Sequence, residues 1–401
     1  MSELKQISTL DLHITDRCNL NCKYCYLHQD GYRKREDIPD WLIAILPDVV
    51  KRLGVQKVNF FGGEPMLAFD RIQAIVETLA PLGVRFGITS NGVTCTPEQA
   101  AFLKAHNIGM QRSIDGCPEA CAVNRPDVSK RYLELTDIIG DKGKPRRSTI
   151  TENAAHLLYR SWLWLKDNGF GGGWTPIPDN YSEWSDAALD TWEAQLKAIA
   201  RDLVRDVRSE KKPFYNYWFA RLGPALKNPK SAGPRGCGAG TSLLALRQDG
   251  FFFACHRFVS DDALSDWCWG HVYDVLSGRE LKPGPDAERA IRICKKDFAT
   301  APELEQCRNC EAQAGCAAGC YHTNRAVNGD AIKPTRTWCE MRKRALKITR
   351  WIDEQIGGQY QDWWRQTAGK SRQDQRPSPS AASGKPTPSA ASGKPNCACC
   401  E

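Results

Sequence analysis

The stretch Cys18-Asn19-Leu20-Asn21-Cys22-Lys23-Tyr24-Cys25 decides how the rest of the sequence is interpreted. It places three cysteines at a CxxxCxxC spacing in a short loop, directly after an alternating apolar run at residues 10–14. Three thiolates in one loop can bind three irons of a [4Fe–4S] cluster and leave the fourth iron open for chemistry. The spacing alone also allows a structural zinc knuckle.

The segment CNLNCKYCY, residues 18–26, resembles the signature of radical S-adenosylmethionine (SAM) enzymes, including the aromatic Tyr24 before the last cysteine. The resemblance implies that Cys18, Cys22 and Cys25 hold a [4Fe–4S] cluster whose open iron binds SAM. It also implies reductive cleavage of SAM to methionine and a 5′-deoxyadenosyl radical, which abstracts a hydrogen atom. The residues by themselves support only a cluster with an open iron.

Composition limits the class of protein. The 401 residues suggest two or three domains, and a net charge of +8 is too mild to indicate nucleic-acid binding, although it suits a peptide substrate with an acidic leader. Eighteen cysteines at short spacings predict metal ligands rather than disulfides, and hence a cytoplasmic protein. The polar N-terminus and the lack of a long apolar run predict no signal peptide and no membrane partner.

Strand-like and helix-like segments alternate from residue 10 to about residue 178. The predicted strands are residues 10–14, 57–61, 84–89, 109–114, 147–151 and 173–177. The predicted helices are residues 38–53, 69–82, 97–106, 128–139 and 153–168. Repeated βα units imply a parallel sheet, here an α/β fold with a partial (β/α)6 TIM-like barrel. The chemistry would then lie at the carboxyl ends of the strands.

Two motifs follow the second and third predicted strands. Gly62, Gly63 and Glu64 form a GGE segment, in which two glycines let the backbone approach a ligand closely. By the family resemblance, this segment binds the amino group of SAM. Ser90 and Asn91 close the third strand, and by the resemblance they lie near the SAM ribose and carboxylate. A plain Asn-Gly turn is the alternative for that segment.

Ser113, Asp115 and Arg125 follow the fourth strand and resemble the SxDG…R segment of radical SAM enzymes that carry a SPASM domain. In that family the arginine meets the SAM carboxylate, and a planar guanidinium can bind a carboxylate with two hydrogen bonds. The resemblance therefore adds Ser113 and Arg125 to the SAM-binding residues. Asp115 is one of two candidates for moving a proton, and His256 is the other.

A second, denser cysteine array lies between residues 233 and 350. Its order closely resembles the SPASM domain of peptide-modifying radical SAM enzymes: Cys237, Cys255, Cys307, Cys310, Cys316, Cys320 and Cys339. A pair of zinc ribbons is the alternative. An Asp-Gly turn at residues 249–250 predicts a hairpin between residues 242–246 and 251–254.

The family's ligand pattern implies two auxiliary [4Fe–4S] clusters, and thus three clusters in the chain. The ligands of one auxiliary cluster would be Cys307, Cys310, Cys316 and Cys339. The ligands of the other would include Cys237, Cys255 and Cys320. Its fourth ligand would be Cys268 or Cys294, or the fourth iron would stay open.

The sequence predicts four segments. A radical SAM partial barrel spans residues 1–225, an auxiliary-cluster domain residues 226–350, and a C-terminal helix residues 351–370. Residues 371–401 read as a flexible linker, because a near-repeat rich in Pro, Ser and Ala buries too little apolar surface to fold. The linker ends in a CxCC tail, which is either a regulatory or substrate-like element or has no role.

The leading hypothesis is a radical SAM peptide maturase, an oxidoreductase that forms a thioether, C–C or C–O cross-link in a ribosomally made precursor peptide. Its partners would be the precursor, an electron donor such as flavodoxin or ferredoxin, and optionally a separate leader-binding protein. One alternative is an anaerobic sulfatase-maturing enzyme that forms formylglycine. Those enzymes usually place an aspartate where His256 follows Cys255. The alternative from another class is a non-catalytic iron–sulfur electron-transfer protein.

Overall fold

Seven strands organise the described part of the chain. The computed structural model describes residues 7–29, 36–142, 146, 148–170, 182–209, 211, 218–219, 222, 226, 238–295, 301–313, 316 and 318–358. The strands are β1 (Thr9–Thr15), β2 (Lys57–Gly62), β3 (Arg85–Ser90), β4 (Gly109–Arg112), β5 (Leu243–Leu246), β6 (Phe251–Phe253) and β7 (Cys268–His271).

The strands form one sheet in the order β4-β3-β2-β1-β5-β6-β7. Strands β1 to β4 pair in parallel and β5 pairs in parallel with β1, whereas the β5–β6 and β6–β7 pairs are antiparallel. Leu12 of β1 pairs with Phe60 on one side and Leu246 on the other, and all three side chains are buried. A strand that is hydrogen-bonded on both edges and apolar on its outer face belongs to the centre of a covered sheet. The predicted α/β fold with a partial barrel is confirmed.

Helices connect the parallel strands. Within the described residues they are α1 (Tyr26–Gln29), α2 (Asp40–Leu53), α3 (Phe69–Leu79), α4 (Pro97–Ala105), α5 (Pro118–Asn124), α6 (Ser129–Ile139), α7 (Leu158–Asp167), α8 (Asp186–Arg208), α9 (Val272–Leu276), α10 (Pro285–Lys295), α11 (Glu305–Arg308), α12 (Tyr321–Asn328) and α13 (Arg336–Gln355). One face of α2 is apolar and buried, at Leu42, Ile43, Leu46, Val49 and Val50. This spacing is that of a helix which covers a sheet. The helix ends at Gly54, whose φ of 70° is left-handed.

The predicted strand at residues 147–151 differs from the structure. Among its described residues only Ile150 takes part in a single bridge. The backbone N–H of Thr149 donates to Asp115 Oδ1 at 3.3 Å, and Thr151 Oγ1 donates to Asn124 Oδ1 at 2.9 Å. These side-chain contacts take the place of a regular ladder. The strand predicted at residues 173–177 lies outside the described residues.

The predicted hairpin is present as β5 and β6, and it joins the barrel sheet. Because β5 pairs with β1, the two predicted domains share one sheet, and the described residues lie in one compact unit, Met1–Tyr360. The domain bounds themselves stay a prediction. The predicted helix at residues 351–370 begins as the last turn of α13; its remainder and the 371–401 tail lie outside the described residues. None of the described helices combines the length and apolar character that crossing a bilayer requires.

Candidate functional site

The first cysteine loop follows β1 at the carboxyl edge of the sheet. Its three cysteines are half-buried, and Leu20 N donates to Cys18 Sγ at 3.4 Å. Burial and, to a smaller extent, the nearby Cys25 and Cys18 thiols raise the pKa of the Cys22 thiol to about 11, while Arg125 opposes the rise. The structure thus brings the three predicted ligands together. Only a thiolate binds a metal, so a cluster held here would displace the protons of these thiols.

The two glycines of the GGE segment bind the cysteine loop to the end of β2. A Cβ atom on Gly62 would lie 2.1 Å from the Thr15 carbonyl oxygen, and one on Gly63 would lie 2.3 Å from the Arg17 carbonyl oxygen. Gly63 N donates to Thr15 O and Glu64 N donates to Arg17 O, each at 2.8 Å. Gly62 and Gly63 are therefore required because they lie against the backbone of the residues that lead into the first cysteine.

The Glu64 side chain links β2 to the end of β3. Its buried carboxylate accepts hydrogen bonds from Ser90 Oγ at 2.6 Å, Asn91 N at 2.7 Å and Met66 N at 3.0 Å. Burial raises the pKa of Glu64, and these three donors oppose the rise. Asn91 Nδ2 in turn donates to Asn19 Oδ1 in the cysteine loop at 2.9 Å. The predicted SAM-binding residues of both motifs are thus gathered beneath the loop, with the Glu64 carboxylate largely occupied by protein donors.

Tyr24, Asp115 and Arg125 form a buried network on the other side of the loop. Tyr24 Oη donates to Asp115 Oδ1 at 2.8 Å, and Arg125 Nε lies 3.1 Å from Asp115 Oδ2. Arg125 also donates to Tyr24 Oη, and its Nη1 donates to Ser113 O at 3.0 Å. Burial raises the pKa of Asp115, whereas Arg125 and the hydroxyl of Tyr24 oppose that rise. This network places the guanidinium of Arg125 directly beside the cysteine loop.

His256 lies on the inner face of the sheet with partners that sequence reasoning missed. Its Nδ1 is 2.9 Å from Asp11 Oδ2, and its ring stacks on Phe61 at 4.3 Å between centroids. Asn59 Nδ2 donates to Asp11 Oδ1 at 2.9 Å. His13, two residues after Asp11, is fully buried, and burial lowers its pKa to about 3. The alternation of polar and apolar residues along β1 was a signal for Asp11 and His13 as inward-facing residues.

Tyr26 joins the two cysteine arrays. Burial raises its pKa well above the ordinary value, and the thiols of Cys25 and Cys255 both contribute to the rise. Cys255 belongs to the second array and Cys25 to the first, so both thiols lie close to one phenol. The ring of His256 and the guanidinium of Arg257 each lie 6.0 Å from the Tyr26 ring centroid. Sequence reasoning did not single out Tyr26.

Four cysteines of the second array also come together. Burial and, to a smaller extent, the thiols of Cys316, Cys307 and Cys310 raise the pKa of Cys339 to about 12. These four are the ligands that the family resemblance assigns to one auxiliary cluster. The grouping fits a four-thiolate cluster, and the ligand set itself stays a prediction.

The other auxiliary set is described in part. Cys255 is buried and Cys320 is half-buried. Cys237 and the Cys294 side chain lie outside the described residues. No disulfide joins any pair of the cysteines that the structure describes.

The thiol of Cys268 has different surroundings. It donates to its neighbour Gly270 O at 3.9 Å, and burial raises its pKa. The charged groups that act on it include Arg247, Asp249 and Asp262. Its role as a cluster ligand stays a prediction.

The kind of metal centre stays a prediction. In the described ranges, no three His, Cys, Asp or Glu side chains converge as the ligands of one metal ion would. A zinc ion draws its thiolates to about 2.3 Å from one centre. An iron–sulfur cube distributes its thiolates over separate irons.

Comparisons with known proteins agree with this arrangement. Residues 12–152 match the family model described as the radical SAM superfamily. The chain is 22% identical over 387 residues to the radical SAM cyclopropyl synthase TigE of Paramaledivibacter caminithermalis, covering 88% of this chain and 75% of that protein. Native anSMEcpe with bound AdoMet has the same fold, with a TM-score of 0.67 at 16% identity over 90% of this chain and 99% of that one.

A second solved structure, native anSMEcpe with bound AdoMet and the Cp18Cys peptide, gives a TM-score of 0.62 at 18% identity. It covers 87% of this chain and 99% of the other chain. At these identities the structural likeness concerns the fold. The match over residues 12–152 includes the cysteine loop and the parallel strands around it. Sequence match and structure therefore agree that the chain contains a domain of the radical SAM superfamily.

Proposed function

We propose that this protein is a radical SAM peptide maturase that forms a thioether, C–C or C–O cross-link in a ribosomally synthesised precursor peptide. The observation that carries the proposal is the contact between Tyr26 and His256, whose ring centroids are 6.0 Å apart. Tyr26 directly follows Cys25 and His256 directly follows Cys255, so the two cysteine arrays lie close together at this point. Two neighbouring arrays suit a reaction that begins with hydrogen abstraction and ends with removal of a second electron. The peptide bound to anSMEcpe supports a polypeptide substrate.

Each cysteine group would hold a cluster in this proposal. Cys18, Cys22 and Cys25 would hold the [4Fe–4S] cluster whose chemistry is one-electron reduction of SAM. The thiols around Cys339 would hold one auxiliary [4Fe–4S] cluster, and Cys255 with its partners the other. The potential of such clusters ranges from about −700 to +450 mV with burial and hydrogen bonding, so they suit electron acceptance.

The residues around the first loop would bind and orient SAM. The GGE segment fixes the loop against β2, and the Ser90–Asn91 turn fixes it against β3. Arg125 would meet the carboxylate of SAM, because its guanidinium sits beside the loop and is oriented by Asp115 and Tyr24. A carboxylate that binds here would exchange its hydrogen bonds to water for hydrogen bonds to a fixed, charged guanidinium.

Of the two candidates for proton transfer, His256 is the better placed. Its side chain is 27% exposed, whereas that of Asp115 is 1% exposed and is enclosed by donors. Asp11 orients the His256 ring from the inner face of β1. A ring nitrogen held in this way is suited to take a proton from the substrate. The electron donor, a separate leader-binding protein and a cytoplasmic location belong to the same proposal.

The proposal is tested by anaerobic reconstitution with iron and sulfide, followed by reduction with dithionite in the presence of SAM. We expect 5′-deoxyadenosine from the wild type and none from C22A. Peptides encoded by short reading frames beside the gene are then added, and mass spectrometry should find a product that has lost two hydrogen atoms. Conversion of a cysteine or serine to formylglycine would support the sulfatase-maturing alternative. Absence of 5′-deoxyadenosine from iron-loaded protein would support an electron carrier.

A further inference from the structure

Helices α8 and α13 run in the same direction and are joined by polar contacts at intervals. The contacts are Arg336 Nη1–Asp186 Oδ1 at 2.6 Å, Arg344 Nη1–Asp190 Oδ1 at 2.6 Å and Arg208 Nη2–Gln355 O at 2.9 Å. Each of these contacts pairs a cation of one helix with a carboxylate or carbonyl of the other. The two helix surfaces are therefore complementary in charge at these positions.

This complementarity stops between the second and the third contact. A groove of about 420 Å³ lies there, lined by Glu193, Lys197, Arg201, Lys347, Ile348 and Trp351. The one carboxylate of this groove already accepts from Lys197 Nζ at 2.7 Å and from Arg344 at 3.1 Å. Neither Arg201 nor Lys347 forms an ion pair with any residue in the described ranges. Among the described residues, the groove therefore carries an excess of positive charge contributed by both helices.

Cations on opposite sides of a groove repel each other, so their charges do not contribute to folding stability. One wall of the groove is apolar, because Ile348 is buried against it and the indole of Trp351 remains 37% exposed. A concave site with an aromatic wall and cations suits a chain that bears both apolar and acidic side chains. We propose that this α8–α13 groove binds an acidic segment of the polypeptide substrate. The concavity and small volume favour an extended peptide over the convex face of a folded redox protein.

The start of α8 is connected to the first cysteine loop through short contacts. Lys23 N donates to Asn124 O at 2.7 Å, and Asn124 Oδ1 accepts from Thr151 Oγ1 at 2.9 Å. The next residue, Glu152, accepts from Ser185 N at 2.9 Å and from Ser185 Oγ at 2.6 Å. Ser185 is the N-cap of α8. The start of α8 is therefore linked to the cysteine loop through Asn124, Thr151 and Glu152.

The groove lies further along α8 from Ser185. Glu193 and Arg201 are 8 and 16 residues beyond Ser185, about 12 and 24 Å along the axis at 1.5 Å per residue. An extended peptide advances about 3.4 Å per residue, so about four to seven residues span the distance from the groove to Ser185. A leader bound in the groove would thus place its neighbouring residues at the start of α8, which the contacts above link to the cysteine loop. This inference rests on the proposed function, because it names how the same substrate is recognised.

The test measures peptide binding to the anaerobically reconstituted full chain by fluorescence anisotropy. The probe is a fluorescein-labelled synthetic peptide of three Glu-Leu-Glu-Glu-Leu repeats, and its partner has Gln in place of every Glu. We expect R201E/K347E to weaken binding of the acidic probe about tenfold or more, because two attractive contacts become repulsive. W351A should weaken both probes. The matched control K51E/R52E makes the same charge change at exposed positions of α2 and should alter affinity less than about twofold.

Several outcomes would overturn the inference. Equal weakening by the two double variants would assign binding to net charge alone, and unchanged binding in R201E/K347E would remove the groove from recognition. A shift from dimer to monomer in R201E/K347E would make a second copy of the chain the occupant. Slower turnover with reduced flavodoxin, at unchanged peptide affinity, would make the electron donor the occupant. Formation of 5′-deoxyadenosine with dithionite should be the same in R201E/K347E and wild type, so failure here is distinct from failure of the proposed function.

Discussion

Removing the hydroxyl of Tyr24 should destabilise the buried network that supports the first cysteine loop. In Y24F the ring remains, while the hydrogen bond of 2.8 Å to Asp115 and the contacts with Arg125 are lost. A hydrogen bond to a charged group contributes about 1.5–3 kcal/mol, and the Asp115–Arg125 ion pair at 3.1 Å survives the change. We therefore expect a loss of about 2 kcal/mol in the free energy of unfolding. R125L breaks the buried pair itself and should cost about 3–5 kcal/mol.

Anaerobic urea unfolding of the iron-loaded protein, followed by tryptophan fluorescence, measures both losses. The control is Y273F, because the side chain of Tyr273 is 56% exposed. This control should change stability by less than about 0.5 kcal/mol. Since Tyr24 and Arg125 share partners, Y24F/R125L should lose about 1 kcal/mol less than the sum of the single variants. A Y24F protein as stable as Y273F would refute the reasoning, because the hydroxyl would then have no buried charged partner.

Three further predictions concern the loop, the sheet interior and the second array. G63A should lose the iron of the first cluster and all 5′-deoxyadenosine formation, because its Cβ would lie 2.3 Å from a carbonyl oxygen of the loop. The control G109A adds a Cβ where there is open space, so it should keep both the iron and the activity. An active G63A would contradict the packing argument. Burial lowers the pKa of His13 from 6.5 to about 3, so stability is lost as pH falls below 6.5, where only the unfolded state takes the proton. Between pH 7.5 and 5.5 the wild type should lose about 1.4 kcal/mol more than H13N in urea unfolding, and parallel pH profiles would count against a neutral buried imidazole. Iron analysis of C268A and C294A should show a loss in the variant whose thiol completes the second auxiliary cluster, and full iron in both would favour an open iron there.

The fold was predictable because its signals are local and repeated. Apolar residues alternate in β1, and helices with one apolar face follow each of the first strands. Parallel strands joined by helices leave few arrangements, and the observed order of β1 to β4 is the one expected for a barrel. The gathering of the motif residues at one edge follows from the same rule, because they stand where strands end.

The long-range contacts were not predictable. Nothing in the spacing of residues 242–254 reveals that the hairpin joins the barrel sheet at β1, and this placement brings Cys255 near Tyr26. The pairing of Asp11 with His256 spans 245 positions of the chain. The glycines of the GGE segment approach the backbone of the cysteine loop, a contact that the sequence did not indicate, and their role toward a ligand stays a prediction. Such contacts depend on which loops meet, and a single sequence does not encode this in a local pattern.

The α8–α13 groove also arises from a long-range contact. Each helix alone shows an ordinary charged face, and mixed charges on a helix surface usually indicate only exposure to solvent. The excess of positive charge becomes visible only when the two surfaces are placed side by side.

The central claim is that the three thiols after β1 hold a cluster with an iron open to SAM, alongside two further clusters. Iron and zinc analysis of anaerobically prepared protein, combined with a single-turnover assay for 5′-deoxyadenosine, tests this claim most directly. We expect about twelve irons per chain, from three clusters of four, and 5′-deoxyadenosine that disappears in C18A, C22A and C25A. Protein that contains zinc, or iron-loaded protein that leaves SAM intact under dithionite, would contradict the account.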